Sequence, residues 1–541
     1  MNKNDIILLD ITDVTIEGNG VGRYEGMAVF VPKTAVGDSI KAKIVKVLKN
    51  YAFGIIDEII TPSPDRCDAQ CGAFGKCGGC SFFHISYEAE CRIKEKHVRD
   101  CFKRIAKLDA EFEPILPCDN TLAYRNKAQY PVGFENGRAV CGFYAKRSHR
   151  IIPCGECMLH PKTFSKICDA VIEYVNDKKI SVYDEKTGQG ILRHIYLRRG
   201  NNSKEIMLCL VVTKDIKGLF DGLADRLKDF KNIKSIVINV NSKKTNVILG
   251  DKCRTLCGSD TITDIMCQNE IELSPLSFYQ VNTLQAERLY GIAKEYADLK
   301  GGESIVDMYC GAGTIGLSMS DKAGSIIGVE SVPEAVENAR NNARRNGIEN
   351  AEYICADAGK AAELLSRRRD RIDAVILDPP RKGCDELTLT SVAAMNPEKI
   401  VMISCNPSTC ARDAAKLSEF GYFPKKVRPV DLFPRTSHVE TVVQLVRKKP
   451  DTYIDITVDM DELDLTSSEA KATYDEIKDY IFDKHCVKVS SLYVAQVKQK
   501  HGIIERDCYN NSKKDNPKQP QCPTEKVKLI EEALRHFKMI P

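Results

Sequence analysis

The residues best equipped for chemistry lie in one short stretch and its neighbours. Ser404-Cys405-Asn406-Pro407-Ser408-Thr409 follows the apolar run Lys399-Ile400-Val401-Met402-Ile403. That run reads as a buried parallel strand, and Asn-Pro stops it, so Cys405 is expected at the strand's carboxyl end. Open α/β sheets collect ligands at that edge. A thiol there acts as a nucleophile once a neighbour favours its thiolate. The chain holds 23 cysteines, and most thiols serve packing, so residue type alone does not single out Cys405. Its company does. Asp378-Pro379-Pro380 closes the preceding apolar run, and Glu440 follows downstream. A carboxylate at Glu440 can serve as a base, although a surface glutamate is the plain alternative.

Upstream, Ser304-Ile-Val-Asp307-Met-Tyr309-Cys-Gly311-Ala-Gly313-Thr-Ile-Gly316 reads as a strand, a glycine turn and a helix start. It fits G-x-G-x-x-G, whose glycines permit a tight turn and close approach to a nucleotide. Glu330 comes nineteen residues after Gly311, where a carboxylate would take ribose hydroxyls. A nicotinamide or flavin dinucleotide fits this pattern, and so does S-adenosylmethionine. Asp307 before the glycines and Asp378-Pro-Pro on the fourth strand favour S-adenosylmethionine. Asp-Pro-Pro also occurs in methyltransferases of exocyclic amines, which place an aromatic next. Arg381 and Lys382 stand there instead.

A second chemistry lies nearer the amino terminus. Cys67-Asp-Ala-Gln-Cys71-Gly-Ala-Phe-Gly-Lys-Cys77-Gly-Gly-Cys80 sets four thiols in fourteen residues among glycines, a loop suited to wrapping a metal centre. Spacing alone leaves zinc open. The Cys-x3-Cys-x2-Cys spacing of radical-type clusters is absent after Cys71, where Phe74 stands, which argues against radical chemistry. Cys154 and Cys157 could add a distal ligand.

Several elements are needed to position these groups. The length, 541 residues, suggests roughly three or four domains. Hydrophobic content of 43% supports real cores, and a net charge of +4 excludes a polycation overall. Basic residues cluster locally at Lys41, Lys43, Lys46 and Lys49, through Arg92, Lys94, Lys96, Arg99, Lys103, Arg104 and Lys107, and at Arg367, Arg368, Arg369 and Arg371. Such clusters are solvated faces or the footprint of a polyanionic partner. No signal-like segment and no bilayer-length apolar run is present, so a cytoplasmic monomer is expected, with no membrane partner. An odd cysteine count argues against a disulfide framework.

The expected organisation is multidomain. Residues 1–60, with short strands split by glycines, read as an OB-like five-stranded β-barrel. Residues 61–270 hold the cysteine loop and an α+β central RNA-binding domain. There Tyr87 to Ala106 is a basic helix, and Tyr124 to Tyr130 and Leu192 to Arg199 alternate as half-buried strands with a basic face. Residues 271–448 alternate strand and helix, an α/β Rossmann-like doubly wound sheet with an antiparallel strand at its end. Residues 449–541 start acidic (Asp451, Asp455, Asp459, Asp461, Glu462, Asp464) and read as a small helical C-terminal extension.

Taken together, these motifs resemble the RNA uracil-5 methyltransferase family. The glycine turn, Ser277-Phe-Tyr-Gln280-Val-Asn282, Asp378-Pro-Pro-Arg-Lys-Gly383, Ser404-Cys405-Asn-Pro and Phe433-Pro434-x-Thr436-x-His438-Val-Glu440 match its signature in order. The resemblance implies that Gln280, Tyr309, Glu330 and Asp378 contact S-adenosylmethionine, that Cys405 is the nucleophile and that Glu440 is the base. It also implies that the barrel is a TRAM domain and that Cys71, Cys77, Cys80 and Cys157 hold a 4Fe–4S cluster. Cys67 and Cys154 have no counterpart. Barrel and cluster together imply 23S ribosomal RNA as the partner. The alternatives are a transfer RNA uracil-5 methyltransferase, a non-catalytic RNA-binding protein and a nicotinamide-dependent oxidoreductase.

Overall fold

A computed structural model describes residues 1–146, 148–153, 155–368, 371–447, 473–485, 487–501, 503, 522–537 and 539–540. Cys154, Arg369, the acidic run 451–464 and most of the polar stretch 510–523 lie outside the described residues. The chain forms two compact units, Met1–Lys449 and Pro450–Pro541.

The first unit opens with the barrel. Strand Ile6–Asp10 pairs with Ser39–Val47 at one edge of a sheet, and its continuation Asp13–Val14 pairs with Asn19–Tyr24 at the other. Met27–Pro32 and Tyr51–Thr61 complete the circuit, so one bent strand closes five into a barrel. Alternation drives it: Ile40, Ala42 and Ile44 are buried, while Lys41, Lys43 and Val45 face out. Gly22 sits where the closing strands touch; a Cβ there would stand 2.5 Å from the Asp10 carbonyl.

A seven-stranded sheet follows, in the order Ile151–Pro153, Arg138–Tyr144, Lys127–Glu135, Leu192–Arg199, Ile206–Val212, Ile233–Val240, Lys252–Gly258. Two expectations are corrected here. The strand expected from Tyr124 begins at Lys127. Leu192–Arg199 presents no basic face to solvent, because Arg193 and Arg198 are buried. Arg198 donates to the Ser274 and Ser277 carbonyls (2.8 and 2.6 Å), and Arg193 to those of Asn241 and Lys243. Alternation marks which residues share a face; it does not say that loop carbonyls will cover that face.

The third part is an eight-stranded sheet in the order Ala351–Cys355, Ser325–Glu330, Ser304–Met308, Ala374–Leu377, Lys399–Ser404, Glu440–Arg447, Tyr422–Val430, Glu111–Phe112. The first five strands are parallel. The antiparallel strand, expected at the sheet's end, is instead inserted between Lys399–Ser404 and Tyr422–Val430. Val442, Val443 and Leu445 are fully buried, and an apolar run of this kind needs cover on both faces.

Contacts cross the expected boundaries. Helix Tyr87–Cys101 and the π-turn Phe102–Ala106 bury Val98, Cys101, Phe102 and Ala106 against this third sheet. Its basic character is not all surface: Lys94 is completely buried. The hairpin Ile262–Met266 and Asn269–Leu273 spans residue 270 and packs with Tyr279, Leu289 and Ile315.

In the second unit, helices Tyr474–His485, Ser491–Lys500 and Thr524–His536 share a core of Ile477, Ile481, Val494, Val497, Ile530 and Leu534. Among the described residues no helix is long and apolar enough to cross a membrane.

Candidate active site

Strand Lys399–Ser404 ends one residue before Cys405, and Asn406 caps helix Pro407–Glu419 by accepting from the Ser408 N–H. Ser404 pairs with Thr441, the last pair of that register, and Cys405 and Glu440 are the residues next to it. Burial pushes the Cys405 thiol up and the neighbouring Glu440 adds to this, while Arg381 counters as a nearby cation and hydrogen-bond donor. Glu440 is itself buried. Burial, then the charge of Asp378, raises its carboxyl to about 8, against the pull of Arg381.

Arg381 joins these groups. Its Nη2 lies 3.1 Å from both ring nitrogens of His438, and its carbonyl accepts from Asn406 Nδ2 at 3.1 Å. Burial and the charge of Arg381 lower the His438 imidazole to about 4, so the ring is neutral and can accept. The sequence displays Arg381 and His438 within motifs but assigns neither a role. The unusual arginine after Asp-Pro-Pro was the available signal.

At the ends of the adjoining strands Asp307 is buried and Asp378 half-buried, and loss of solvent raises each to about 7. Asp307 Oδ2 accepts the Gly316 N–H at 2.8 Å, whereas its Oδ1 is buried without a partner. A Cβ on Gly316 would stand 3.1 Å from that carboxylate, so the glycine lets helix and strand pack closely. Tyr309 adopts a φ of +64°, a conformation strained for a bulky residue, directly before the turn glycines. At Gly311 nothing stands within 4 Å of where a Cβ would be. Glu330 accepts the Gly311 N–H at 3.1 Å with one oxygen and the Ser331 and Val332 N–H groups with the other. The Gln280 carbonyl accepts from Asn126 Nδ2, just ahead of Asn282, the cap of helix Thr283–Ala297. Open space at Gly311, a carboxylate on the turn and an unpartnered buried acceptor suit the nucleoside and sulfonium of S-adenosylmethionine.

Cys405, Arg381, Ser408 and His438 line a cavity of about 290 Å³ whose opposite wall comes from Ile16 and Glu17 of the barrel and His97 of helix Tyr87–Cys101. This wall was invisible in the sequence, because it forms only when distant segments dock. Lys96 bonds Asp13 at 3.0 Å, and a Cβ on Gly18 would stand 2.9 Å from the Ser81 carbonyl, so the barrel turn is tightly seated.

Cys71, Cys77, Cys80 and Cys157 line a separate cavity of about 270 Å³, together with Arg125 and Lys127. Burial pushes the Cys80 thiol far up, and Cys157, Cys77 and Cys71 each add to it. The Gly79 N–H reaches Cys77 Sγ at 3.4 Å. Cys67 is exposed and stands apart from this lining. Among the described residues no group of three or more His, Cys, Asp or Glu side chains is arranged to hold a metal ion.

Residues 86–448 match the family model described as tRNA (uracil-5-)-methyltransferase, and residues 2–56 match the TRAM domain. The chain belongs to the RNA uracil-5 methyltransferase family. An uncharacterised RNA methyltransferase of Halalkalibacterium halodurans is 43% identical over 83% of this chain and 98% of its own length. One from Clostridium tetani is 42% identical over 82% of this chain and 96% of its own. The Pyrococcus abyssi tRNA (uracil-54, C5)-methyltransferase, solved in complex with S-adenosyl-L-homocysteine, superposes with a TM-score of 0.65 at 27% identity, covering 81% of this chain and 100% of that one. This uracil-5 methyltransferase is therefore an S-adenosylmethionine-dependent enzyme acting on RNA, with a TRAM barrel at its amino terminus.

Proposed function

We propose that the enzyme methylates carbon 5 of a uridine in 23S ribosomal RNA, with Cys405 as nucleophile and Glu440 as base. The observation that carries the roles is that Cys405 and Glu440 adjoin the last pair of one register, Ser404 with Thr441, at the sheet's carboxyl edge, with Glu440 and Arg381 both acting on the sulfur. Carbon 5 of uracil is a poor nucleophile. The Cys405 thiolate adds to carbon 6, and the displaced π electrons form an enolate that makes carbon 5 nucleophilic. S-adenosylmethionine, held by Gln280, Tyr309, Glu330 and Asp378, supplies an electrophilic methyl group. The Glu440 carboxylate then takes the carbon 5 proton, the double bond re-forms, and the Cys405 thiolate leaves. The target base must leave its stack to enter the cavity, which costs least in a single-stranded loop. Cys405→Ala should abolish methyl transfer while keeping S-adenosylmethionine binding; retained turnover would remove Cys405 from the mechanism.

Cys71, Cys77, Cys80 and Cys157 suit a 4Fe–4S cluster. They line one cavity, and Arg125 and Lys127 beside them offset the negative charge that four thiolates bring. The methylation is redox-neutral, so the role assigned to the cluster is to pin this loop. Anaerobically purified protein should carry about four irons per chain. Stoichiometric zinc without iron would contradict it.

One observation favours transfer RNA instead. The Pyrococcus abyssi match covers more of this chain than residues 86–448, so similarity to a transfer RNA enzyme extends beyond the family model. Mapping 5-methyluridine in a deletion strain separates the two: loss from 23S ribosomal RNA supports the first reading, loss from transfer RNA the second.

A further inference from the structure

The loop 431–439, which joins the last two strands, is held by partners distant in the chain. Asn282 Nδ2 donates to the Leu432 carbonyl at 3.0 Å. Lys94 Nζ donates to that of Phe433 at 3.2 Å, and the Tyr124 hydroxyl to that of Pro434 at 2.9 Å. The Ser81 N–H donates to that of Arg435 at 2.9 Å. Arg435 itself has a φ of +69°.

At the centre of this arrangement is a buried ion network. The side chains of Lys94, Glu90 and Asp431 have no solvent exposure. Lys94 Nζ lies 2.7 Å from Glu90 Oε1 and 2.7 Å from Asp431 Oδ1. Its third donor goes to the Phe433 carbonyl, so the ammonium is fully satisfied. The Tyr87 hydroxyl donates to the other Asp431 oxygen at 2.8 Å, and Glu90 accepts the Arg435 N–H at 2.7 Å. Stability does not require such a network, because apolar residues of similar volume often serve as well. What it adds is direction: three bonds from one nitrogen fix where the loop begins.

The far end of that loop reaches the reacting sulfur. Ser437, His438 and Val439 line the cavity of Cys405, and the His438 ring takes Arg381 Nη2. We propose that Lys94 is a positioning residue for the nucleophile: by holding Asp431 and the Phe433 carbonyl, it fixes the loop whose His438 keeps Arg381 beside Cys405. The proposal rests on Cys405 being the nucleophile. The charged groups that face the sulfur are Glu440 from the final strand and Asp378 and Arg381 from the end of Ala374–Leu377; Glu17, His97 and His438 line the same cavity. Of these, Arg381 is the cation that favours the thiolate, so its displacement should make the thiol harder to ionise.

The test uses the full-length protein and reads the thiol directly. Iodoacetamide labelling of Cys405, followed at the peptide level across pH, is compared between wild type and Lys94→Met. The labelling midpoint should rise by about one pH unit, and labelling near neutral pH should fall roughly tenfold. S-adenosylhomocysteine affinity should stay within about twofold, because the bonds around Glu330 and Gly311 are untouched. A folded Lys94→Met protein with an unchanged labelling profile overturns the proposal, even if methylation is slow. If Lys94→Met does not fold, Tyr87→Phe decides: it removes the hydroxyl that donates to Asp431 and accepts the Cys118 N–H, leaves Lys94 in place, and a shift in the same direction, roughly threefold in labelling, is expected. An unchanged profile in that variant overturns the proposal too. Failure of the nucleophile assignment is separate, since Cys405→Ala would then keep turnover whatever the labelling shows.

Discussion

Cys405 lines a cavity, and the buried carboxyl of Glu440 beside it opposes ionisation of the thiol. Burial pushes both Cys405 and Glu440 up, with Glu440 adding to the shift of the thiol and Asp378 to that of Glu440, so the free enzyme holds a proton on each near neutral pH. Arg381 favours the ionised forms of both. The Glu440 value of about 8 gives a sign for the pH dependence: the basic form accumulates as pH rises through that value. Release of the methylated product should therefore speed up with pH to about 8 and level off above it. Glu440→Gln keeps the shape and removes the basicity. Attack and methyl transfer should survive, elimination should not, and the RNA should stay joined to Cys405. We expect a methylated adduct that survives denaturing electrophoresis and vanishes when Cys405 is also changed to Ala. Normal turnover without adduct would assign the base to another group. At this scale the sequence revealed Cys405 well, because Asn406-Pro407 marks the strand end. It could not show that Glu440 is buried, nor that Arg381 meets His438 across 57 positions, because strand pairing creates both facts.

Three strands of the third sheet bring carboxyl groups to one region, Asp307, Asp378 and Glu440, and burial leads the upward shift in each. The unfolded chain releases these protons near pH 4, whereas the folded chain keeps them to about 7 or 8. Between those limits the folded state binds more protons, so stability falls as pH rises, by about 1.4 kcal/mol per pKa unit per group at most. Asp378→Asn removes one such group and relieves its charge on Glu440. Its thermal midpoint should fall less than that of wild type between pH 5 and 8, with weakened S-adenosylmethionine binding. A steeper fall in the variant would show that Asp378 is stabilised as an anion, contrary to this reading. Element order was legible from the regular alternation of strand and helix. The insertion of Glu440–Arg447 between two strands was not, because alternation orders elements along the chain and not across a sheet. The buried arginines of Leu192–Arg199 show the same limit, since their carbonyl partners come from residues 48 to 79 positions away.

On the scale of the whole molecule, the barrel and the tail differ in how far their roles can be argued. The barrel was legible as a fold from its glycine corners, but not as a wall of the Cys405 cavity, which depends on Gly18 docking against Ser81. The tail was read as a small helical extension, and Pro450–Pro541 forms a unit with its own core of Ile477, Val494 and Ile530. The family model ends at residue 448, and the Halalkalibacterium relative matches over 98% of its length while covering 83% of this chain. Every residue proposed for catalysis, cofactor and cluster also lies before that point. The acidic run from Asp451 to Asp464 would repel phosphates rather than recruit them. Truncation after Lys448 should therefore leave a folded protein that binds S-adenosylmethionine and methylates a short uridine-containing RNA within about twofold of the full chain. Affinity for larger ribonucleoprotein particles is the property that the truncation is free to change. The comparison is made with one short RNA and one intact particle, measuring methyl incorporation and binding for both proteins. A truncated protein that folds and binds the cofactor yet methylates neither substrate would show that the tail takes part in the chemistry.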